Sequence, residues 1–207
     1  MMLLCDVGNT FLHFYHKGKI WKEKPYALTK KKENLPIYYI SVNERFERCL
    51  LASHTHCVNI GSYIELDTDY QGLGVDRKAA CKAVSDGVIV DAGSAITVDI
   101  MHEGFHMGGY IMPGLGAYRT MCESISKVLD MEIEPGIDLS KLPQNTQEAL
   151  SFGALKSVIL MIKNTSRTKK IYFTGGDGKF FARLFENAIY DNTLVFKGIQ
   201  KVLSQHI

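Results

Sequence analysis

Short apolar runs, each closed by a glycine or a polar turn, fill the start of the chain and recur in its middle, with stretches of helical spacing between them. Leu3 to Val7 is apolar except for Asp6 and reads as a strand. Phe11 to Tyr15 follows as a second, Lys17-Gly18 as a turn, and Ile20 to Lys22 as a short third strand. Ile37 to Ile40 is a continuous apolar run of the buried parallel type. Ser41-x-x-Glu44 then reads as a capping box that opens a helix through about Ala52, and Val58 to Ile60 as another strand. After a helix over Asp76 to Val84 the plan begins again. Val88 to Val90, Ala95 to Met101 and Phe105 to Met112 read as strands, as do Ile171 to Phe173 and Leu194 to Phe196. Helices are expected over Gly114 to Leu129, Gln147 to Lys163 and Lys179 to Ala188.

Three antiparallel strands followed by alternating helices and strands, twice over, is the ribonuclease H-like plan in duplicate, an α/β architecture. The expected lobes are residues 1–86 and 87–207. The repeat is chemical as well. Asp6-Val7-Gly8-Asn9-Thr10 and Asp91-Ala92-Gly93-Ser94-Ala95 each follow a strand and precede an alternating stretch that closes at Gly18 or Gly104. Such a long period points to two similar domains facing each other across a cleft. A strand ending in Asp-x-Gly-polar offers a carboxylate, an approachable backbone and hydroxyl or amide donors. A carboxylate beside phosphate is repulsive unless a cation lies between them, so the pattern suits metal-bound phosphate. One copy alone is more often an ordinary hairpin turn; duplication reverses that and favours the ligand-binding reading.

Charge narrows the partners. With 24 basic and 22 acidic residues the net charge is +2, which favours neither nucleic acid nor an anionic membrane. The clusters Lys30-Lys31-Lys32 and Arg167 to Lys170 fall in connections and read as solvated loops. The run Met1 to Cys5 is too short for a signal peptide and lacks a basic leader, and no apolar stretch reaches membrane-spanning length. A cytoplasmic location is therefore expected. The five cysteines are scattered, without a Cys-x-x-Cys pair, and are expected to be reduced thiols.

Three further segments carry chemistry. Gly74-Val75-Asp76-Arg77 stands at a helix start, where Asp76 either caps the helix or presents a catalytic carboxylate at the cleft. Thr174-Gly175-Gly176-Asp177-Gly178 is a strand-turn-helix that can hold a nucleotide against backbone N–H groups, while the phosphate-loop lysine motif is absent. Asn145-Thr146 opens the long helix, in which Gly153 and Ala154 permit close packing. The apolar residues Leu150, Leu155, Val158, Ile159, Leu160 and Ile162 cover more than one stripe of that helix, so it is buried either in its own domain or in a dimer.

Together with Gly109-Tyr110-x-x-Pro113-Gly114, Asn145-Thr146-x-x-Ala149 and the terminal Leu194-Val195-x-x-Gly198, these motifs resemble those of the type III pantothenate kinases over almost the whole length. That family belongs to the superfamily of acetate kinases, sugar kinases, Hsc70 and actin. The resemblance implies actin-like domains flanking an ATP cleft and ATP-dependent phosphorylation of pantothenate to 4′-phosphopantothenate, the first step of coenzyme A biosynthesis. It also implies Mg²⁺, a monovalent cation (K⁺ or NH₄⁺) and a homodimer. By the same resemblance Asp6, Val7, Gly8, Asn9, Thr10, Phe11, Leu12 and His13 line the ATP phosphates, with Asp6 helping to hold Mg²⁺, and Ser94 touches ATP. Asp91 holds the monovalent cation. Tyr70, Gly74, Val75, Asp76, Arg77 and Thr146 bind pantothenate, with Asp76 the proton acceptor. Two positions depart from the family pattern: Ser94 replaces the usual threonine, and Tyr70 lies only four residues before Gly74 without the usual proline. Rival readings are a non-catalytic regulatory relative, a sugar or acetate kinase on the same scaffold, and an actin-like filament protein. Retention of Asp6, Asp76 and Asp91 weighs against the first, and the short chain against the second.

Overall fold

A computed structural model describes residues 2–28 and 35–206, so the Lys30-Lys31-Lys32 cluster lies outside the described residues. The chain forms two compact units, Met1–Ser85 with Met101–Gly108 and Asn192–Ile207, and Asp86–Ile100 with Gly109–Asp191.

In the first unit, β1 (Leu3–Val7), β2 (Leu12–His16), β3 (Lys19–Glu23), β4 (Ile37–Ser41) and β5 (Cys57–Asn59) form a sheet in the order β3-β2-β1-β4-β5. The β3-β2-β1 side is antiparallel and the β1-β4-β5 side parallel. Helix α1 (Glu44–Ser53) makes the crossover between β4 and β5. As the central strand, β1 is apolar at Leu3, Leu4, Cys5 and Val7, all buried. Phe14, Ile37, Tyr39 and Leu50 pack around it. Each such side chain contributes about 1.5–3 kcal/mol by leaving water. Helix α2 (Val75–Lys82) closes the unit together with α6 (Leu194–His206).

The second sheet contains β6 (Gly87–Ala92), β7 (Ala95–His102), β8 (Phe105–Pro113), β9 (Ile171–Thr174) and β10 (Ala188–Tyr190), in the order β10-β9-β6-β7-β8. Read from the other edge this is the order of the first sheet, so the expected duplication is present in the topology. Its helices are α3 (Leu115–Ile125), α4 (Thr146–Ser166) and α5 (Gly178–Ala182). The core joins Val88 and Val90 of β6, Ile96 and Val98 of β7, Leu155 and Ile162 of α4, and Phe181 of α5. Among the described residues no helix is long and apolar enough to cross a membrane.

The structure departs from the sequence expectation at four places. Leu194 to Phe196 is not a strand but the first turn of α6, because the buried positions continue as Gly198, Ile199, Val202 and Leu203 at helical spacing. The fifth strand is instead Ala188–Tyr190, and α5 stops at Ala182, well short of the expected Ala188. Helix α1 is capped by Asn43, whose side chain accepts from the Phe46 N–H at 3.1 Å, because Ser41 is still the last residue of β4. The C-terminal helix and the tip of the β7–β8 hairpin, Met101–Gly108, belong to the first unit, so the two units are not the contiguous segments 1–86 and 87–207. Of the two burials open for α4, Leu155, Val158, Ile159 and Ile162 take the one in the core of their own unit, whereas Leu160 is 55% exposed.

Candidate active site

The first Asp-x-Gly turn links β1 to β2. Asp6 sits one residue before the end of β1, half-buried, and pairs in register with His13 on β2, their side chains 4.0 Å apart. The Gly8 N–H donates to the Phe11 carbonyl at 3.1 Å and closes the turn. Asn9 accepts from the Asn43 side chain at 3.2 Å, which ties the turn to the cap of α1. His13 pairs in turn with Lys22 on β3, and the Lys22 ammonium lies 4.5 Å from the centre of the Phe11 ring. Burial first, and Lys22 second, lower the His13 pKa below its ordinary value, favouring the neutral imidazole.

The second turn occupies the equivalent place in the other sheet and has different neighbours. Asp91 pairs with Thr174 on the parallel strand β9. Beyond Thr174, Gly175 adopts φ +83°, and a Cβ there would overlap the Asp91 carboxylate and lie 2.5 Å from the Ala92 carbonyl oxygen. Only glycine lets this loop lie so close. The Asp177 N–H donates to that Ala92 oxygen at 2.9 Å, and the Gly114 N–H donates to Ser94 O at 3.2 Å. Burial raises the Asp177 pKa; burial, then Asp91 and Asp191, raise that of Tyr190, whose hydroxyl lies 3.4 Å from Gly175 O. Beside Asp177 opens a cavity of about 330 Å³ walled by Leu115, Ile133, Pro135 and Phe180, with Arg119 and Glu132 at its polar side. Arg119 is held there by ion pairs to Asp130 and Glu132.

A third group gathers at the start of α2, within the first unit. Gly74 precedes the helix, and the Asp76 carboxylate accepts from the Arg77 N–H at 2.8 Å. Gly74 is the N-cap, and Asp76, inside the first turn, uses one oxygen on a backbone N–H of its own helix, where the dipole favours negative charge. Arg77 is only 7% exposed, with its guanidinium 5.1 Å from the centre of the Tyr70 ring and 3.5 Å from the Tyr70 hydroxyl. Tyr70 in turn tilts against His106 at 5.8 Å, and His106 Nδ1 is 2.7 Å from the Thr68 hydroxyl.

A family model described as type III pantothenate kinase matches residues 41–168, more than half of the chain. A curated type III pantothenate kinase of Helicobacter hepaticus is 80% identical over the full length of both chains. The chain belongs to the type III pantothenate kinases. Among solved structures, one from Campylobacter jejuni described as a Baf family transcriptional activator matches with a TM-score of 0.88 at 41% identity, over 99% of this chain and 98% of that one. A Sinorhizobium meliloti structure described as a 2-dehydro-3-deoxygalactonokinase matches with a TM-score of 0.62 at 8% identity, over 100% and 97%, a likeness of fold alone. The fold is the duplicated ribonuclease H-like one, two sheets of the same strand order.

In this pantothenate kinase the structure brings Tyr70 to Arg77 despite the shortened spacing, and brings Asp6, Gly8, Asn9 and His13 to one turn. Ser94 and Thr146 are exposed, the latter as the first residue of α4, which Asn145 caps by accepting from the Glu148 N–H at 2.9 Å. Sequence reasoning missed Lys22 and His106. An exposed lysine on an edge strand has no motif, and His106 lies 36 positions beyond Tyr70 on the β7–β8 hairpin. The cavity walls were equally hidden, being drawn from α3, α5 and the connection between α3 and α4.

Proposed function

We propose that this protein transfers the γ-phosphoryl group of ATP to the hydroxyl of pantothenate, giving 4′-phosphopantothenate and opening coenzyme A synthesis in the cytoplasm. The observation that carries the residue assignment is the Asp76-Arg77 pair on the first turn of α2, with Arg77 buried against Tyr70. Asp76 accepts the hydroxyl proton as the oxygen attacks, a role worth roughly 10²–10⁴-fold. The guanidinium of Arg77, backed by Tyr70, faces the carboxylate of pantothenate. Gly74 and Val75 shape this end of the site, and Thr146 contacts pantothenate. Residues 6–13 and Ser94 line ATP, and the cavity beside Asp177 takes the nucleoside, its apolar walls against the base.

The residues present fit the cations of the family. Asp6 is a single carboxylate beside a turn suited to phosphate, the protein share of a Mg²⁺ site whose other ligands are phosphate oxygens and water. Beside Asp91 the Ala92 carbonyl offers a further oxygen under the Gly175 backbone, a hard-oxygen pair suited to K⁺ or NH₄⁺. When bound, these ions neutralise phosphate charge. The exposed apolar residues Leu160 and Met161 on α4 support a homodimer. Gly153 does not serve that purpose, since a side chain there would meet the Tyr118 hydroxyl of the same unit at 3.2 Å. Sedimentation of Leu160→Glu against the wild type tests the dimer: a monomeric wild type overturns it.

A coupled ATP-consumption assay with pantothenate, with and without K⁺ or NH₄⁺, tests the activity. Pantothenate-dependent turnover is expected. Its absence would leave the regulatory reading that the description of the Campylobacter jejuni neighbour favours.

A further inference from the structure

The terminal Leu194-Val195-x-x-Gly198 motif has no part in the chemistry above, yet its helix grips the element that carries Asp76. At Gly198, α6 crosses α2 so closely that a Cβ would overlap the Ala79 carbonyl oxygen and lie 3.1 Å from the Ala79 Cα. Packed helix axes usually stand about 8–10 Å apart, and only a residue without a side chain permits direct backbone contact. A turn further along α6, Lys201 Nζ donates to the Lys82 carbonyl at 3.1 Å, giving a partner to an acceptor at the C-terminal end of α2. Near the end of α6, the His206 ring lies 5.5 Å from Tyr63, in the 3₁₀ turn Gly61–Tyr63 that leads toward Tyr70. At its start, Phe196 stacks on Tyr15 of β2 at 5.3 Å. The helix is thus anchored to the sheet at one end and holds α2 along its length.

Ala79 lies one helical turn from Asp76, and over a single turn a helix moves as a rigid rod. Any displacement of α2 at Ala79 therefore reaches Asp76 and Arg77 almost undiminished. We propose that Gly198 and Lys201 are positioning residues for the pantothenate end of the site: they set the height and register of α2, and so the placement of Asp76 and Arg77. The inference rests on the assignment of those two residues to substrate.

The test compares Gly198→Ala, Lys201→Ala and Lys201→Arg by steady-state kinetics and by hydrogen exchange of the α2 amides. A misplacement near 1 Å can cost up to about 10²-fold, so Gly198→Ala should lower kcat/KM for pantothenate by roughly 10- to 100-fold with the KM for ATP within about twofold. Lys201→Ala should raise the pantothenate KM by about threefold at an unchanged Tm, and Lys201→Arg should restore it, because either cation can reach the Lys82 carbonyl. Wild-type pantothenate kinetics in folded Gly198→Ala, or equal changes in both KM values, would overturn the proposal. If Gly198→Ala does not fold, the Lys201 pair decides by the same criteria. If the wild type shows no pantothenate-dependent turnover, the functional reading has failed and exchange alone judges: faster exchange of the α2 amides in Lys201→Ala, reversed in Lys201→Arg, upholds the clamp, and unchanged exchange sinks it.

Discussion

The Asp6 and Asp91 turns occupy the same place in sheets of the same strand order, yet their neighbours across the parallel pair differ. Asp6 is in register with Ile40, and the next residue of β4 is Ser41; Asp91 is in register with Thr174, and the next residue is Gly175. One turn therefore faces residues with side chains and keeps basic neighbours, His13 and Lys22, on its antiparallel side. The other is closed over by the Gly175 backbone, which leaves no room for a side chain beside the carboxylate. Topology was duplicated, but the chemistry at the two turns diverged. A shared strand order fixes where a carboxylate emerges, and the adjacent strand decides what can approach it.

Neither turn should matter to turnover as much as Asp76, the carboxylate proposed to receive the proton. Asp76→Asn is expected to lower kcat by at least about 10²-fold with circular dichroism unchanged; near-wild-type turnover would remove the general-base assignment.

The next effect separates the turns directly. Asp6→Asn should raise the Mg²⁺ needed for half-maximal rate by about 10-fold or more and leave the K⁺ response intact, whereas Asp91→Asn should blunt the K⁺ or NH₄⁺ response at an ordinary Mg²⁺ requirement. Identical cation titrations for the two variants would mean the turns are equivalent and the comparison is wrong.

Smaller still is the cost of changing the neighbours. Gly175→Ala places a Cβ against Asp91 at a positive φ and should lower stability by about 1–3 kcal/mol in urea titration, whereas Ser41→Ala should change it by less than about 1 kcal/mol. Equal losses would show that the glycine is not what distinguishes the second turn.

The smallest effect concerns pH. The His13 pKa is lowered in the folded protein, so between its folded value and about 6.5 the unfolded chain binds more protons. The stability contribution of His13 is then complete above about pH 6.5 and is lost as pH falls toward the folded value. His13→Gln should flatten this acid-side fall in Tm, and a slope identical to wild type would place the titration elsewhere. With the His13 side chain 41% exposed, the difference should be small.

Much of the plan was legible in the chain. The buried runs Leu3 to Val7 and Val88 to Val90 declare central strands because both faces of such strands are apolar, and repetition of Asp-x-Gly after each declares the duplication. The family motifs named Asp6, Asp76 and Asp91. Local pattern failed where two structures share one composition: Leu194-Val195-Phe196 is as apolar as a strand, and only the continuing 3.6-residue spacing makes it a helix. Ser41-x-x-Glu44 similarly fitted a cap, until the length of β4 carried pairing through Ser41 and left the role to Asn43.

What the sequence determined by itself is the class of fold, the family and which acids to propose for the chemistry, because periodicity and short motifs are local. Tertiary structure alone decided that the terminal helix returns to the first unit, that Gly198 rests on Ala79, that Arg77 lies over the Tyr70 ring and Tyr70 tilts against His106, and that Gly175 closes over Asp91. Each of these is a contact between residues distant in the chain or in different elements. Such contacts depend on how elements pack, and that is settled by the whole core rather than by any one segment.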